Sequence, residues 1–489
     1  MSKLDQICHS KSELPVSRPL RQRAVSASWW TIAPQPLQIA FRFAQSVIVA
    51  RFLAPEHFGL MALVGILLNG LTMFSDIGTE PAAIRSGNGD DPDFLRTAWT
   101  LKILRGTGLW LACIAAAVPF AWFYDEPALL LMIPVSGSTM FLSSFGTTAG
   151  IAFARRIELR TPTLFGLWMM PISFLIAIGM AYWLRDAWAL AWGGVLTTLV
   201  SVILGHLFLP GIRHRFCWRP EYVRELFSFG RWIFVSTLFT FIAMQADKLM
   251  LAKLVDMRVV GVYGIALVLA QVPMMLVGAI AGSVLFPVFS EQFRDDPVRM
   301  AQRALKARRL LMSLGLILCL GVFVIAPDFF RWMYLPKFWD AGWMTRFAIG
   351  SVWITMLYST SGQAVMAIGD SRSMALANGC NAIVTVIGCF AGFYLAGVPG
   401  FIIGYAAGTV AAELVLTIRL RQLGIDFGRQ DLRLTLVGAF AFAAMLTISM
   451  VVDSIYPNLP YVVEAVGLSA IALIVWQILP ELKHLLRKN

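Results

Sequence analysis

Apolar residues run along this chain in stretches of roughly 20 positions, the length a helix needs to cross a bilayer at about 1.5 Å per residue. Short polar or charged gaps separate them. The stretches fall near residues 27–50, 58–78, 103–123, 128–150, 162–184, 187–209, 227–252, 259–284, 310–330, 346–368, 373–396, 399–418, 434–452 and 461–479, so about fourteen membrane helices are predicted. Pro34, Pro36, Pro134, Pro171 and Pro273 lie inside these spans. They predict kinks rather than breaks, because neighbouring helices can satisfy the freed carbonyls. The fold class expected is an all-α polytopic membrane protein.

Composition sharpens this picture. Of 489 residues, 58% are hydrophobic and 14% charged, against about 25% charged in an ordinary soluble domain. A soluble or disordered chain is excluded. Fourteen spans consume roughly 280 positions, and connections such as 124–127, 185–186 and 396–399 are only a few residues long. An active site that needs a separate extramembrane domain has nowhere to sit.

The formal net charge of +12 admits nucleic acid, anionic lipid or membrane topology as its cause. Position decides. About thirty of the 40 Lys and Arg fall in loops on the side of the N-terminus, which is the bias that orients helices with basic loops in the cytoplasm. Both termini are therefore expected to be cytoplasmic, with anionic membrane lipids beside the basic loops and no nucleic-acid partner. The first residues carry Lys3, Lys11, Arg18, Arg21 and Arg23 with Pro15 and Pro19. No short apolar region ending in a cleavage site follows, so a cytoplasmic tail over 1–26 is expected. The six cysteines and five histidines are scattered without ligand spacing, so neither a metal nor any other cofactor is expected.

Two pieces of the first half recur in the second. Ala50-Arg51-Phe52-Leu53 followed by Phe58-Gly59 aligns on Ala252-Lys253-Leu254-Val255 followed by Val260-Gly261, at a shift of about 202 residues. TMFLSSFG from Thr139 aligns on TMLYSTSG from Thr355, at a shift of about 216. Six spans per copy give both copies the same orientation, related by an axis along the membrane normal. The expected organisation is an N-lobe over 27–210, a loop over 211–226, a C-lobe over 227–420, two further helices over 421–480 and a cytoplasmic tail over 481–489.

Polar stripes mark where these lobes need not face lipid. Thr31, Gln35, Gln38, Arg42 and Gln45 recur at helical spacing in the first span and share one face. An arginine at membrane centre costs about 2.5–3.5 kcal/mol on insertion scales, so this face is expected in a wet cavity or against a partner. Asp247 is one such partner for Arg42. The 202-residue shift carries Gln35, Gln38 and Gln45 onto Thr237, Thr240 and Asp247, Ser46 onto Lys248, and Asn69 onto Gln271. Asn69, Thr72, Asp76 and Thr79 make a second stripe, and Asn378, Asn381 and Thr385 a third. Asp247 and Lys248 fall near the outer interface, Asp76 and Glu413 near the cytoplasmic ends of their spans, and Arg231 reads as an interfacial anchor. No GxxxxGK[ST] phosphate loop occurs. The acidic pairs Asp90-Asp91 and Asp295-Asp296 fall in loops of the basic side.

With these residues in view, the segment VARFLAPEHFGLMALVGILLNGLTMFSDIG (Val49 to Gly78) resembles the first-to-second helix signature of Wzx-type polysaccharide flippases, within the multidrug/oligosaccharidyl-lipid/polysaccharide exporter superfamily. ADKLMLAKL from Ala246, LFPVFSEQF from Leu285, AIGDSR from Ala367 and GVPGFIIGYAAG from Gly397 resemble further landmarks in family order. The resemblance implies two six-helix lobes plus two C-terminal helices, and a transporter rather than an enzyme. It further implies export of a polyprenyl-diphosphate-linked oligosaccharide across a bacterial inner membrane for exopolysaccharide, capsule or O-antigen synthesis, with a polysaccharide polymerase and chain-length machinery as partners.

Such a substrate asks for cations and hydrogen-bonding amides. Arg42 fits the first role, with Arg51 and Lys248 as weaker candidates. Gln35, Gln38, Gln45, Asn69, Asn378 and Asn381 fit the second, while Asp247, Asp76 and Glu413 are candidates for coupling to an ion gradient. Two other readings stay open. One is a cation-coupled drug exporter of the same superfamily, which a basic stripe disfavours. The other is a polysaccharide polymerase or ligase using Arg331, Lys337 and Asp340 of the longest outer loop.

Overall fold

The computed structural model describes residues 29–30, 33–75, 83, 86, 91–156, 158–209, 215–227, 233–281 and 297–455. Asp76, Thr31, Thr79, Arg231, Asp90, the whole N-terminal tail, the acidic pair at 295–296, the LFPVFSEQF landmark, the span predicted at 461–479 and the tail at 481–489 lie outside them. The described residues form helices and no strand. Among the described residues, each span predicted up to residue 455 overlaps helical structure, the one at 259–284 falling on two helices.

The first helices start where the backbone chemistry favours it. Helix α1 (Gln35–Phe52) carries Pro36 in its first turn, where the missing N–H has no intrahelical partner to lose. After a two-residue turn α2 (Pro55–Phe74) begins on Pro55, with the His57 ring accepting the Ala54 N–H at 3.3 Å. Helix α3 (Pro92–Tyr124) is capped by Asp91, whose carboxylate accepts the Asp93 N–H at 2.9 Å. Next come α4 (Leu129–Ser144) and α5 (Ala149–Arg156), bent by 60° against each other, then α6 (Arg160–Leu184), α7 (Trp188–Phe208) and the short α8 (Pro220–Phe227).

The second half opens with α9 (Ile233–Leu254), α10 (Met257–Ala270) and α11 (Val272–Ile280), the last two separated at Gln271 just before Pro273. Helix α12 (Pro297–Met333) leads through a 3₁₀ turn to α13 (Ala341–Ile368). Helix α14 (Ser371–Gln422) folds back on itself where Ala396 and Gly397 leave helical geometry, Gly397 taking φ 65°. Its two legs then pack backbone to backbone: a Cβ built on Gly404 meets the Gly388 carbonyl oxygen at 2.0 Å, and one on Gly400 meets that of Gly392 at 2.1 Å. Helix α15 (Gly428–Ile455) packs against α12.

Seven of the described helices are long and apolar enough to cross a membrane, and the bent α4–α5 pair makes an eighth candidate. Helix α1 is not among them, because Gln38, Arg42 and Gln45 interrupt its apolar run. Large apolar side chains such as Trp122, Tyr394 and Leu395 stand outward, as lipid-facing positions require. The protein is a multi-pass membrane protein.

Helices α1 to α7 pack among themselves, as do α9 to α15, and α2 joins the halves by lying along α9 and α10. This joint is reciprocal. A Cβ on Gly59 would fall 2.2 Å from the Met257 carbonyl oxygen, and one on Gly261 would fall 1.8 Å from that of Pro55. Gly59 and Gly261, like Pro55 and Met257, stand 202 residues apart, so the contact pairs the positions that the expected repeat aligns. On the face away from the basic loops, further bonds hold the halves together. Tyr124 donates to the Leu249 carbonyl at 3.1 Å, Lys253 to the Phe123 carbonyl at 2.6 Å and Asp125 at 3.0 Å, and Lys337 to the Leu53 carbonyl at 2.6 Å.

Candidate substrate cavity

Two cavities open inside the helical body, and the polar stripes line them. The first, of about 520 Å³, lies between the halves, with Arg42, Gln45 and Ser46 of α1, Asn69 of α2, and Gln245 and Lys248 of α9 in its wall. The second, of about 810 Å³, lies within the C-terminal half. Asp247, Lys248, Gln271, Tyr358, Asn378 and Asn381 are among its lining residues, with several methionines around them. Lys248 belongs to both.

The repeat explains why the two differ. Gln45 and Asp247, Ser46 and Lys248, and Asn69 and Gln271 are equivalent pairs, each with one member in each copy. Arg42 is equivalent to Met244, which lines the larger cavity. The first copy thus supplies a guanidinium where the second supplies a thioether. The cavity between the halves is basic, and the one in the C-terminal half is more apolar.

Partners decide what these charges can do. Among the described residues Arg42 has no carboxylate partner: its Nη1 reaches the Met275 sulfur of α11 at 3.8 Å, across the gap between the halves. It does not pair with Asp247. Lys248 donates to Gln245 at 3.4 Å and has no carboxylate partner either. Asp247, only 3% exposed, accepts from the Tyr263 hydroxyl at 3.2 Å through Oδ2, while Oδ1 has no partner. It is buried within the protein, in the wall of the larger cavity. Asn378 accepts from Tyr358 at 2.5 Å and donates to Thr240 at 3.5 Å, and Asn381 accepts from Thr385 at 3.0 Å.

The remaining candidates lie elsewhere. Gln35 and Gln38 sit on the first turns of α1 and Arg51 is exposed at its far end; none lines either cavity. Glu413 is buried among Ser361, Thr417 and Arg308, outside both. Asp76 is beyond the described residues. The loop residues offered for polymerase chemistry do not converge: Arg331 lies 3.8 Å from Asp328 of its own helix, and Lys337 is held on the Leu53 carbonyl. Partial burial pulls the Lys337 ammonium pKa below its ordinary value.

On the basic face, the Tyr222 hydroxyl at 2.6 Å and the Asp93 N–H hold the Asp91 carboxyl below the usual range, which ties α8 to the start of α3. The Ser373 N–H and then Arg419 lower Asp370 to about 2. Among the described residues no cluster of His, Cys, Asp or Glu has metal-binding geometry. Tyr263, Tyr358, Tyr405 and Gln363, all in the larger cavity's wall, carry no stripe of their own in the sequence. Only their three- or four-residue steps from other lining residues, Tyr358 from Thr355 or Tyr405 from Thr409, could have marked them.

Two packed helical halves with a polar cavity between them make up a polytopic helical membrane fold. It is similar to the lipid II flippase MurJ in an inward closed conformation, with a TM-score of 0.67, 13% identity, and coverage of 94% of this chain and 99% of that one. An inward-facing multidrug resistance MATE family transporter of the MOP superfamily gives 0.66, at 14% identity over 81% and 98% of the two chains.

The chain belongs to the polysaccharide biosynthesis protein family, whose profile matches residues 48–341, more than half its length. Among relatives, the lipopolysaccharide biosynthesis protein WzxC of Escherichia coli (strain K12) is 21% identical over 328 residues, 66% of this chain and 65% of that protein. The succinoglycan biosynthesis transport protein ExoT of Rhizobium meliloti (strain 1021) is 21% identical over 54% of this chain and 53% of ExoT. The amylovoran biosynthesis protein AmsL of Erwinia amylovora is 26% identical over 49% and 62%. The chain thus spans somewhat less than two thirds of these relatives.

Proposed function

We propose that this protein is a flippase, not an enzyme, that moves a polyprenyl-diphosphate-linked oligosaccharide from the cytoplasmic to the periplasmic face of a bacterial inner membrane. The observation that carries this reading is the pair of cations in the cavity between the halves: among the described residues Arg42 and Lys248 meet no carboxylate, and they stand beside Gln45, Asn69 and Gln245. An unpaired guanidinium and ammonium in a low-dielectric surround suit a diphosphate, and the neighbouring amides suit sugar hydroxyls. The polyprenyl chain stays in lipid. Transport proceeds by alternating access, the halves rocking about the Gly59–Gly261 contact while the bonds of the far face break and re-form.

The basic loops set the orientation, with both termini in the cytoplasm and anionic lipid headgroups beside those loops. The lobes run over 27–210 and 227–420, with the helices beyond 421 outside the transport core. A polysaccharide polymerase and its chain-length machinery act on the delivered substrate.

The decisive measurement is leaflet distribution. Depletion of the protein is expected to trap lipid-linked oligosaccharide on the cytoplasmic leaflet, and purified protein in vesicles is expected to expose labelled substrate to an added glycosidase. Unchanged exposure in both settings would exclude the function. The larger cavity favours a second reading, since the Asp247 carboxylate among methionines suits an organic cation. Cation efflux from vesicles, abolished by Asp247→Asn, would support drug export instead.

A further inference from the structure

The charge cluster that fastens α15 to the C-terminal half does not balance. Arg308 of α12 is wholly buried and, among the described residues, is the only cation in it. Its Nη1 is bonded to Asp431 of α15, and its Nη2 lies 3.8 Å from Glu413 of α14. Three further N–H groups go to α13: Nε donates to Thr360 at 3.0 Å, and Nη2 to Ser361 at 3.1 Å and to the Leu357 carbonyl at 3.2 Å. The Phe427 ring closes one face at 4.3 Å.

Glu413 Oε1 accepts from Ser361 at 2.7 Å and from Thr417 at 3.1 Å. Its Oε2, like Asp431 Oδ2, is sealed from solvent and meets no donor. Glu413 is 8% exposed and Asp431 6%. With both carboxylates ionised, one guanidinium faces two charges, and two buried oxygens go without hydrogen bonds. Each such omission costs about 1–3 kcal/mol, and more where the group is charged.

A single proton removes the excess charge and supplies a missing donor hydrogen. We propose that Glu413 binds one exchangeable proton beside Arg308 and Asp431, making this joint a protonation site of the C-terminal half. The proton forms an O–H bond at the Glu413 carboxylate and returns to water of the basic face when it leaves. No electrons move.

The titratable and charged groups around the site, among the described residues, are few: Arg308 from α12, Tyr358 from α13, Glu413 from α14 and Asp431 from α15. Tyr358 links the site to the cavity. It lines the larger cavity with Ser359, Gly362 and Gln363, while Leu357, Thr360 and Ser361 between them hold the cluster. One stretch of α13 therefore has cavity on one face and the proton site on the other. Loss of the proton leaves an unbalanced buried charge against that stretch, and the packing of α13 must answer to it.

The site is independent of the transported molecule, so its test needs none. Purified full-length protein in nanodiscs is titrated with pH while infrared difference spectra follow protonated carboxyl groups and fluorescence follows thermal unfolding. The expected result is a protonated-carboxyl band that disappears on raising pH with the loss of one proton per chain. Thermal stability should fall over the same range, because the folded state holds a proton that the unfolded chain releases. Glu413→Gln, which keeps the shape and adds a permanent donor, should abolish that band and flatten the stability profile.

A wild-type titration without such a band would overturn the proposal even if the variant failed to fold. A band unaltered in a folded Glu413→Gln protein would assign it to another group, and would overturn it equally. Stabilisation by added sodium at fixed pH, with no proton released, would make the occupant a metal cation and refute the proton assignment.

Discussion

Two arginines sit inside this helical body under opposite conditions. Arg308 is enclosed on every side, with partners from α13, α14 and α15 for its guanidinium. Arg42 stands in the wall of a cavity with a methionine sulfur for company. The first joins four helices. The second meets no carboxylate among the described residues. In a membrane protein the presence of an arginine therefore says less than the number of its partners, and the one with few partners is the one proposed to meet substrate.

The contrast can be broken most forcefully at Arg308. Arg308→Met leaves two buried carboxylates without their cation, and about 3–5 kcal/mol of stability should be lost. Fluorescence-detected unfolding would register a large drop in melting temperature or the disappearance of folded protein. Wild-type melting would mean that the cluster holds nothing together.

Arg42→Ala should do the reverse. Losing one charge-assisted contact of about 1.5–3 kcal/mol lowers apparent substrate affinity roughly 10- to 100-fold, while the melting temperature scarcely moves. Lys248→Ala should follow it. A flipping assay read beside thermal unfolding separates the two kinds of arginine, and a folding defect at Arg42 would erase the distinction.

Replacement by lysine gives a finer discrimination. At Arg308 an ammonium keeps the charge but cannot serve three helices in one plane, so a loss of about 1–3 kcal/mol is expected. At Arg42 the charge alone should retain most of the transport. The smallest effect belongs to a third kind of ion pair, that of Asp370 with Arg419 at 2.6 Å on the water-facing edge of α14. Asp370 has its pKa lowered to about 2. Its stabilisation is thus complete above the ordinary carboxyl value of about 3.9 and fades as pH falls towards 2. Asp370→Asn should flatten that acid-sensitive part of the stability curve and lower neutral-pH stability by the same small amount.

How far the sequence reaches is visible in the same residues. Gln45, Arg42 and Asn69 could be read as cavity lining because helical spacing puts them on faces that lipid would reject. The repeat foretold that Ser46 and Lys248 are counterparts, and they meet in one cavity wall. Arg308 follows Arg303 and Lys306 and precedes Arg309, a spacing that by itself suggests only one more basic loop. Its burial depends on Asp431, 123 positions away, and on the extension of α12 well before its apolar run. Local pattern carries no trace of either. Tyr263 and Tyr405 were hidden for a related reason: in an apolar run an aromatic reads as lipid-facing until a distant carboxylate such as Asp247 is placed against it. Gln35 and Gln38 show the opposite failure, since their spacing is as good as that of Gln45 but the cavity wall begins deeper along α1.

The contact of Gly59 with Met257 and of Gly261 with Pro55 has a consequence for motion. Interlocked side chains would have to climb over one another when α2 and α10 change angle, as gears must unmesh before they slip. Bare backbone presents a smooth surface at the point of nearest approach, and because the two sides are equivalent under the repeat, neither is displaced more than the other. The joint is built like a bearing: close enough to keep the halves from separating, and plain enough to let them turn.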